Sequence, residues 1–203
     1  RPACASPYEL YADFSTNAAG ELQLTMQAGN TFFGKSAAGA PFQVHNTGHY
    51  KGQLTPPRAY AVKPGDKLSD NWQLAAFDQD GYELRVYGPN GFYRAIAGKK
   101  LLPSVQVSAL YEVKGKKPTG NLVLHISNPG KEAAIVVMRD NAYGNPLREL
   151  VCAPGLTKHR VELGRQHGWY DFTLLQQDAQ PVSWQYAGHV DTGKTSRTDP
   201  QMT

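Results

Sequence analysis

The feature that most constrains this chain is the period of its apolar residues, which is two. Segments such as Leu22-Gln-Leu-Thr-Met-Gln-Ala and Tyr82-Glu-Leu-Arg-Val-Tyr alternate apolar and polar positions. Successive side chains of a strand point to opposite faces, so this alternation builds a sheet with one buried side. No stretch of useful length carries the 3.6-residue period of an amphipathic helix. Gly, Pro, Asn and Asp punctuate the segments and supply turns. The alternation predicts strands over 7–13, 20–28, 41–46, 58–63, 67–75, 81–87 and 91–97, then 103–113, 120–127, 134–140, 146–152, 156–163, 168–175 and 181–189.

Seven short strands per half predict an all-β chain of two tandem seven-stranded antiparallel β-sandwiches of the immunoglobulin or fibronectin type. Landmarks recur in the same order in both halves. Leu22-Gln-Leu-Thr-Met answers to Leu122-Val-Leu-His-Ile, Pro64-Gly65 and the strand ending Trp72-Gln-Leu74 to Pro154-Gly155 and the strand ending Val161-Glu-Leu163, and Gly81-Tyr82 to Gly168-Trp169-Tyr170; Ala97-Gly98 answers to Ala187-Gly188. Such agreement points to duplication, with domains at 1–99 and 100–203. The boundary stretch Lys99–Pro103 is too short for a flexible linker, so the halves are expected to touch.

Composition narrows the partners. The net charge of +4 mixes 21 basic with 17 acidic residues, without the basic stripe of a nucleic-acid binder. No segment reaches the ~18 apolar residues of a membrane helix. Cys4 and Cys152 are expected to be unpaired thiols. The first residue is Arg1 rather than Met, which leads us to expect a piece of a larger precursor whose export signal lies elsewhere.

Motifs that could carry chemistry lack their contexts. Gly188-His-Val-Asp-Thr-Gly193-Lys194-Thr195 has phosphate-loop spacing, but the loop needs a following helix, and Pro200 stands in the few residues left. His45 and His49 would lie ~13 Å apart along a strand, too far to share a zinc ion unless the turn folds back. His167 suits hydrogen bonding at a strand end. Asp78 and Asp80 suit a turn. No G-x-S-x-G elbow is present. No catalytic residue, metal ligand or cofactor is therefore assigned.

Two segments remain as candidates for recognition. Gly88-Pro89-Asn90-Gly91 is a strong turn, and Phe92 and Tyr93 leave it on opposite faces. Phe32 and Phe33, followed by Lys35, occupy a loop that is longer in the first half than in the second. Phe32, Phe33, Lys35, Pro89, Asn90 and Tyr93 are the candidate contacts with a partner or lipid surface, with the second half mainly structural. For the aromatic loop, folding back onto its own core is the competing expectation.

The run Gly81-Tyr82-Glu-Leu-Arg-Val-Tyr-Gly-Pro-Asn-Gly-Phe92-Tyr-Arg94 through Gly98 resembles the C-terminal domain of bacterial phosphocholine-preferring phospholipases C. Pro7-Tyr8-Glu9-Leu10, Phe42-Gln-Val-His-Asn46, Val62-Lys-Pro-Gly65 with Asp70 and Trp72, Asp140-Asn-Ala-Tyr143 and His167-Gly-Trp-Tyr-Asp171 extend the likeness over nearly the whole chain. The closing Ala187-Gly-His-Val-Asp-Thr-Gly193 with Asp199-Pro200 completes it. In the second half, Gln176-Gln-Asp-Ala-Gln-Pro181 stands where the first has its Gly-Pro-Asn-Gly turn. The resemblance implies a non-catalytic accessory region, two copies in tandem. It implies a parent enzyme, secreted or periplasmic, whose metal-dependent catalytic domain lies N-terminal and cleaves phosphatidylcholine to diacylglycerol and phosphocholine. The expected partner is that catalytic domain, with a phospholipid surface as a further one. A carbohydrate- or protein-binding sandwich is the alternative, and a stand-alone hydrolase a third.

Overall fold

The computed structural model describes residues 1–78, 81–177 and 181–202. In chain order the strands are β1 (Pro2–Ala3), β2 (Leu10–Thr16), β3 (Leu22–Ala28), β4 (Ala40–Asn46), β5 (His49–Tyr50), β6 (Gln53–Leu54), β7 (Arg58–Val62), β8 (Lys67–Trp72), β9 (Tyr82–Tyr87) and β10 (Tyr93–Gly98). The second half continues with β11 (Gln106–Lys114), β12 (Lys117–Asn128), β13 (Ala134–Asp140), β14 (Arg148–Cys152), β15 (Gly155–Val161), β16 (Trp169–Gln176), β17 (Val182–His189) and β18 (Ser196–Arg197). Among the described residues helix is confined to single 3-10 turns such as Leu74–Ala76 and Gly164–Gln166. The chain is all-β and its strand pairings are antiparallel.

Every segment with clear alternation became a strand, and the burial follows the period. In β3, Leu22, Leu24, Met26 and Ala28 are fully buried while the residues between them are half-exposed. Several starts are displaced by two or three residues: the strand expected from residue 7 begins at Leu10, where pairing with Ala28 begins, that expected from 103 begins at Gln106, and that expected from 120 begins at Lys117. Just ahead of Leu10 the Glu9 carbonyl still takes the Gly29 N–H at 2.6 Å.

The strands form two main sheets. One has the order β14-β13-β16-β17-β10-β9-β4-β7, the other β15-β12-β11-β2-β3-β8. Each half thus gives four strands to the first sheet and three to the second, and both sheets run unbroken across the chain's midpoint. In the larger sheet β10 and β17 pair from Tyr93↔Ala187 to Ala97↔Ser183. In the smaller, the backbone pairing of β2 with β11 is at Phe14↔Val107. The two layers enclose one continuous apolar cluster that includes Trp72 and Phe42 from the first half and Trp184, Tyr186 and Phe172 from the second. The Tyr186 hydroxyl donates across the layers to the Val107 carbonyl at 3.2 Å. The termini are tied by β1 on β18, with Pro2 opposite Arg197.

Candidate functional site

The Gly88–Gly91 turn sits against the second half. Asn90 holds φ +55° and Gly91 φ +71°, the left-handed conformations this turn requires. The Asn90 side-chain amide donates to both carboxylate oxygens of Asp191, at 3.3 and 3.1 Å. Asp191 is buried and also takes His189 Nδ1 at 2.9 Å. On the ring's other side, Nε2 lies 2.9 Å from Ser196 Oγ and 3.1 Å from the His167 carbonyl. Trp169 packs at a tilt against His189 with centroids 4.8 Å apart, donates its N–H to the Arg197 carbonyl at 2.8 Å, and closes over Gly91, where a Cβ would approach within 3.2 Å of its ring.

Ser196, His189 and Asp191 thus share the connectivity of a hydrolytic triad, and the Ser196 hydroxyl also lies 3.3 Å from the His167 carbonyl that Nε2 approaches. The cluster forms a clip that holds the segment carrying β18 and the turn of the first half onto β17.

Arg94 is the centre of the seam, and sequence reasoning did not single it out beyond its place in the family-like run. It is 1% exposed. Its guanidinium donates to the carbonyls of Tyr93 (2.8 Å) and Ala187 (2.9 Å) and to the Tyr170 hydroxyl (2.9 Å). It also lies 4.1 Å from the Phe92 ring centroid and 5.0 Å from that of Tyr186. Asp13, half-buried nearby, accepts the Ala109 N–H at 3.3 Å. Burial pushes its carboxyl up to about 6, while Arg94 and the Ala109 N–H pull in the other direction.

The remaining sequence candidates fall as follows. The Phe32 N–H donates to the buried carboxylate of Glu9 at 3.0 Å. Its ring stacks on Tyr111 of β11 with planes 7° apart and centroids 5.9 Å apart. Phe33 is half-buried, and its ring lies 3.2 Å from where a Cβ on Gly193 would stand. Lys35 is exposed on the 3-10 turn Gly34–Ser36. Pro89 is half-buried. Tyr93 is half-buried too, packed on Tyr87 with centroids 5.1 Å apart, and Phe92 beside it is in the core. The structure therefore brings Phe32, Phe33 and Asn90 to the seam between the halves and leaves Lys35 pointing to solvent.

The motifs set aside in the sequence are placed as plainly. Gly188 and His189 close β17, and the residues after Lys194 form β18 rather than a helix, so no helix N-terminus faces the loop. His45 packs edge-on against Tyr87 at 5.1 Å, while His49 Nδ1 meets Asp78 Oδ2 at 2.8 Å. Asp80 and residues 178–180 of the second-half turn lie outside the described residues. Among the described residues no three His, Cys, Asp or Glu side chains cluster as metal ligands, and no helix is long and apolar enough to cross a membrane. Cys4 and Cys152 are both free thiols, the first exposed and the second buried. A cleft of about 540 Å³ opens in the second half over Met138, Val161, Leu163 and Phe172. No sequence pattern marked it, because its lining comes from four different strands and connections.

Fold and seam define an antiparallel, two-layered β module whose distinctive polar side chains join its two halves. The family described as bacterial phospholipase C, C-terminal domain, matches residues 2–99 and again 103–189, and the chain belongs to this family. It is similar to a non-hemolytic phospholipase C of Burkholderia pseudomallei (strain K96243), with 36% identity over 98% of this chain and 27% of that protein. A non-hemolytic phospholipase C of Pseudomonas aeruginosa is 32% identical over the whole chain and 28% of its own length. The hemolytic phospholipase C of the same organism is 32% identical over the whole chain and 30% of its length. The chain thus spans less than a third of the relatives it matches.

Proposed function

We propose that this chain is the non-catalytic accessory region of an exported bacterial phospholipase C, where it docks on and stabilises the catalytic domain. The observation that carries the reading is the pairing of full coverage of this chain with 27–30% coverage of each relative. Most of a phospholipase's length, and on this reading its chemistry, then lies outside the family matched here. The parent would cleave phosphatidylcholine to diacylglycerol and phosphocholine in the periplasm or outside the cell. The units 1–99 and 100–203 are taken as two fibronectin-like sandwiches, since each contributes one three-stranded and one four-stranded set in the same order.

Docking is supported by apolar surface at the far end of the second half. Ile135 and Val151 stand directly opposite each other on β13 and β14, 41% and 65% exposed. Leu147, just ahead of β14, is more than half exposed. Grouped exposed side chains of this kind are characteristic of contact surfaces. Lipid contact is the secondary role, with Lys35 as its exposed cation.

The test is the parent enzyme with and without this region. On our reading, deletion lowers the melting temperature and phosphatidylcholine hydrolysis, and the chain added in trans restores part of both. Substituting Ile135 and Val151 by Ser weakens that rescue. A parent that is equally stable and active without the region refutes docking, and chelator-sensitive turnover of phosphorylcholine esters by this chain alone refutes the non-catalytic reading. Co-sedimentation with phosphatidylcholine vesicles decides the secondary role.

A further inference from the structure

The two copies can be aligned by register, and one site then differs in a telling way. In the first half Val44 pairs with Arg58 and Leu24 with Asp70; in the second, Met138 pairs with Arg148 and Leu124 with His159. Leu22 pairs with Trp72, and its counterpart Leu122 with Val161. Arg148, His159 and Val161 therefore occupy the positions of Arg58, Asp70 and Trp72.

In the first half these groups close the gap between the sheets. Arg58 grips both oxygens of Asp70, at 2.7 and 2.8 Å, and its guanidinium lies 3.8 Å over the Trp72 ring. The Tyr60 hydroxyl adds a bond to Asp70 at 2.6 Å. Tyr50, carried in by the β5–β6 hairpin of the 47–57 connection, packs edge-on against Trp72 at 4.9 Å, and Phe77 stacks beneath. Indole, carboxylate and guanidinium fill the space from within the chain.

The second half keeps the arginine and loses everything it touched. His159 replaces the carboxylate, Val161 replaces the indole, and the shorter 141–147 connection forms no hairpin. The cleft of about 540 Å³ results, within the usual range for small-molecule sites. Its acidic neighbours are engaged elsewhere. Glu162 bonds Arg160, Asp140 accepts the N–H groups of Ala142, Tyr143 and Asn145, and Asp171 accepts from Asn141 and Gln185. Among the described residues no carboxylate lies within ion-pair distance of Arg148 or Arg165. Burial and the adjacent Arg148 hold the His159 imidazole below its ordinary range, consistent with a site short of negative charge.

We propose that this cleft binds a small amphiphilic acid, its anionic group on Arg148 and its apolar body over Val161, Leu163 and Met138. The ligand would supply from outside the carboxylate and flat apolar surface that Asp70 and Trp72 supply in the first half. A charged hydrogen bond of this kind is worth roughly ten- to a hundredfold in affinity.

Two probes separate an aromatic from a lipid-derived acid: indole-3-acetate and dodecanoate, titrated into the intact chain and followed by NMR of the Met138 methyl and the His159 ring. Binding at about millimolar concentration or tighter is expected for at least one, and the tighter one identifies the body. Neutral indole should bind at least tenfold more weakly than its acid. Arg148→Gln, at an exposed position, should weaken binding tenfold or more, and an anion bound to the wild type should shift His159 titration upward. The pair His159→Asp with Val161→Trp rebuilds the first half's closure and should abolish binding, with the melt showing that the fold survives. Arg148→Gln serves alone if the rebuilt pair does not fold. No shift at either residue by either acid at about 5 mM, or equal binding to Arg148→Gln, overturns the proposal; in the first case a polypeptide plug becomes the better occupant. Neither result bears on the accessory role, which is measured in the parent enzyme.

Discussion

Replacing Arg94 by Met is the sharpest test of how the halves are joined. The guanidinium makes three hydrogen bonds, of which those to Ala187 and Tyr170 reach the second half. Hydrogen bonds from a charged donor contribute ~1.5–3 kcal/mol each, so the gross loss is roughly 5–9 kcal/mol. Relief of the buried charge's desolvation offsets part of this, and Met recovers some contact with the Phe92 and Tyr186 rings. The carbonyls of Tyr93 and Ala187 are left without that donor. The net cost should be about 3–5 kcal/mol, as when one partner of a buried polar cluster is removed. Arg94→Lys keeps the charge, but one ammonium cannot span three divergent acceptors, so it should recover less than half. The assay is equilibrium unfolding in urea, followed by tryptophan fluorescence and far-UV circular dichroism together. Because the apolar cluster is continuous across the midpoint, the wild type should unfold in one transition, and Arg94→Met should lower its midpoint or split it in two. A cost below about 1 kcal/mol, or full rescue by Lys, would refute the argument.

Asp13 gives a pH test. Its carboxyl titrates at about 6 in the folded chain, above the ~3.9 of an unfolded aspartate, so the folded state binds the proton more tightly. Its contribution is therefore most favourable below about pH 4 and is lost as pH rises through 6. Between pH 7.5 and 4 the wild type should gain about 2 kcal/mol relative to Asp13→Asn, and a pH-independent gap between the two refutes this. Asn90→Ala removes the bonds to Asp191 and forces alanine into a left-handed φ, at about 2–3 kcal/mol, whereas Asn90→Gly should cost only about 1 kcal/mol. Thermal melts that rank Gly below Ala would contradict the turn argument. Ellman's reagent should label Cys4 rapidly in the native chain and Cys152 only after unfolding, since Cys152 is fully buried and burial pushes its thiol up. Two equally fast thiols would show that β14 opens readily.

Period-two alternation by itself determined where the strands lie and which residues face inward, as in β3 and β9, because the pleat acts over neighbouring residues. It also marked Gly88–Gly91 as a turn, from the dihedrals that Asn-Gly permits. The tertiary structure alone decided what those residues do next. That Asn90 meets Asp191, that Phe32 stacks on Tyr111, and that β10 pairs with β17 depend on contacts about a hundred residues apart in the chain, for which alternation carries no signal. An aromatic such as Phe32 reads the same in sequence whether it faces solvent or a second sheet. The repeat already set Val161 against Trp72 in sequence, and the register bears that out, but only the tertiary structure shows that no other side chain fills the space the indole leaves. Local sterics write themselves into sequence, while the filling of space between sheets depends on which distant side chain arrives there.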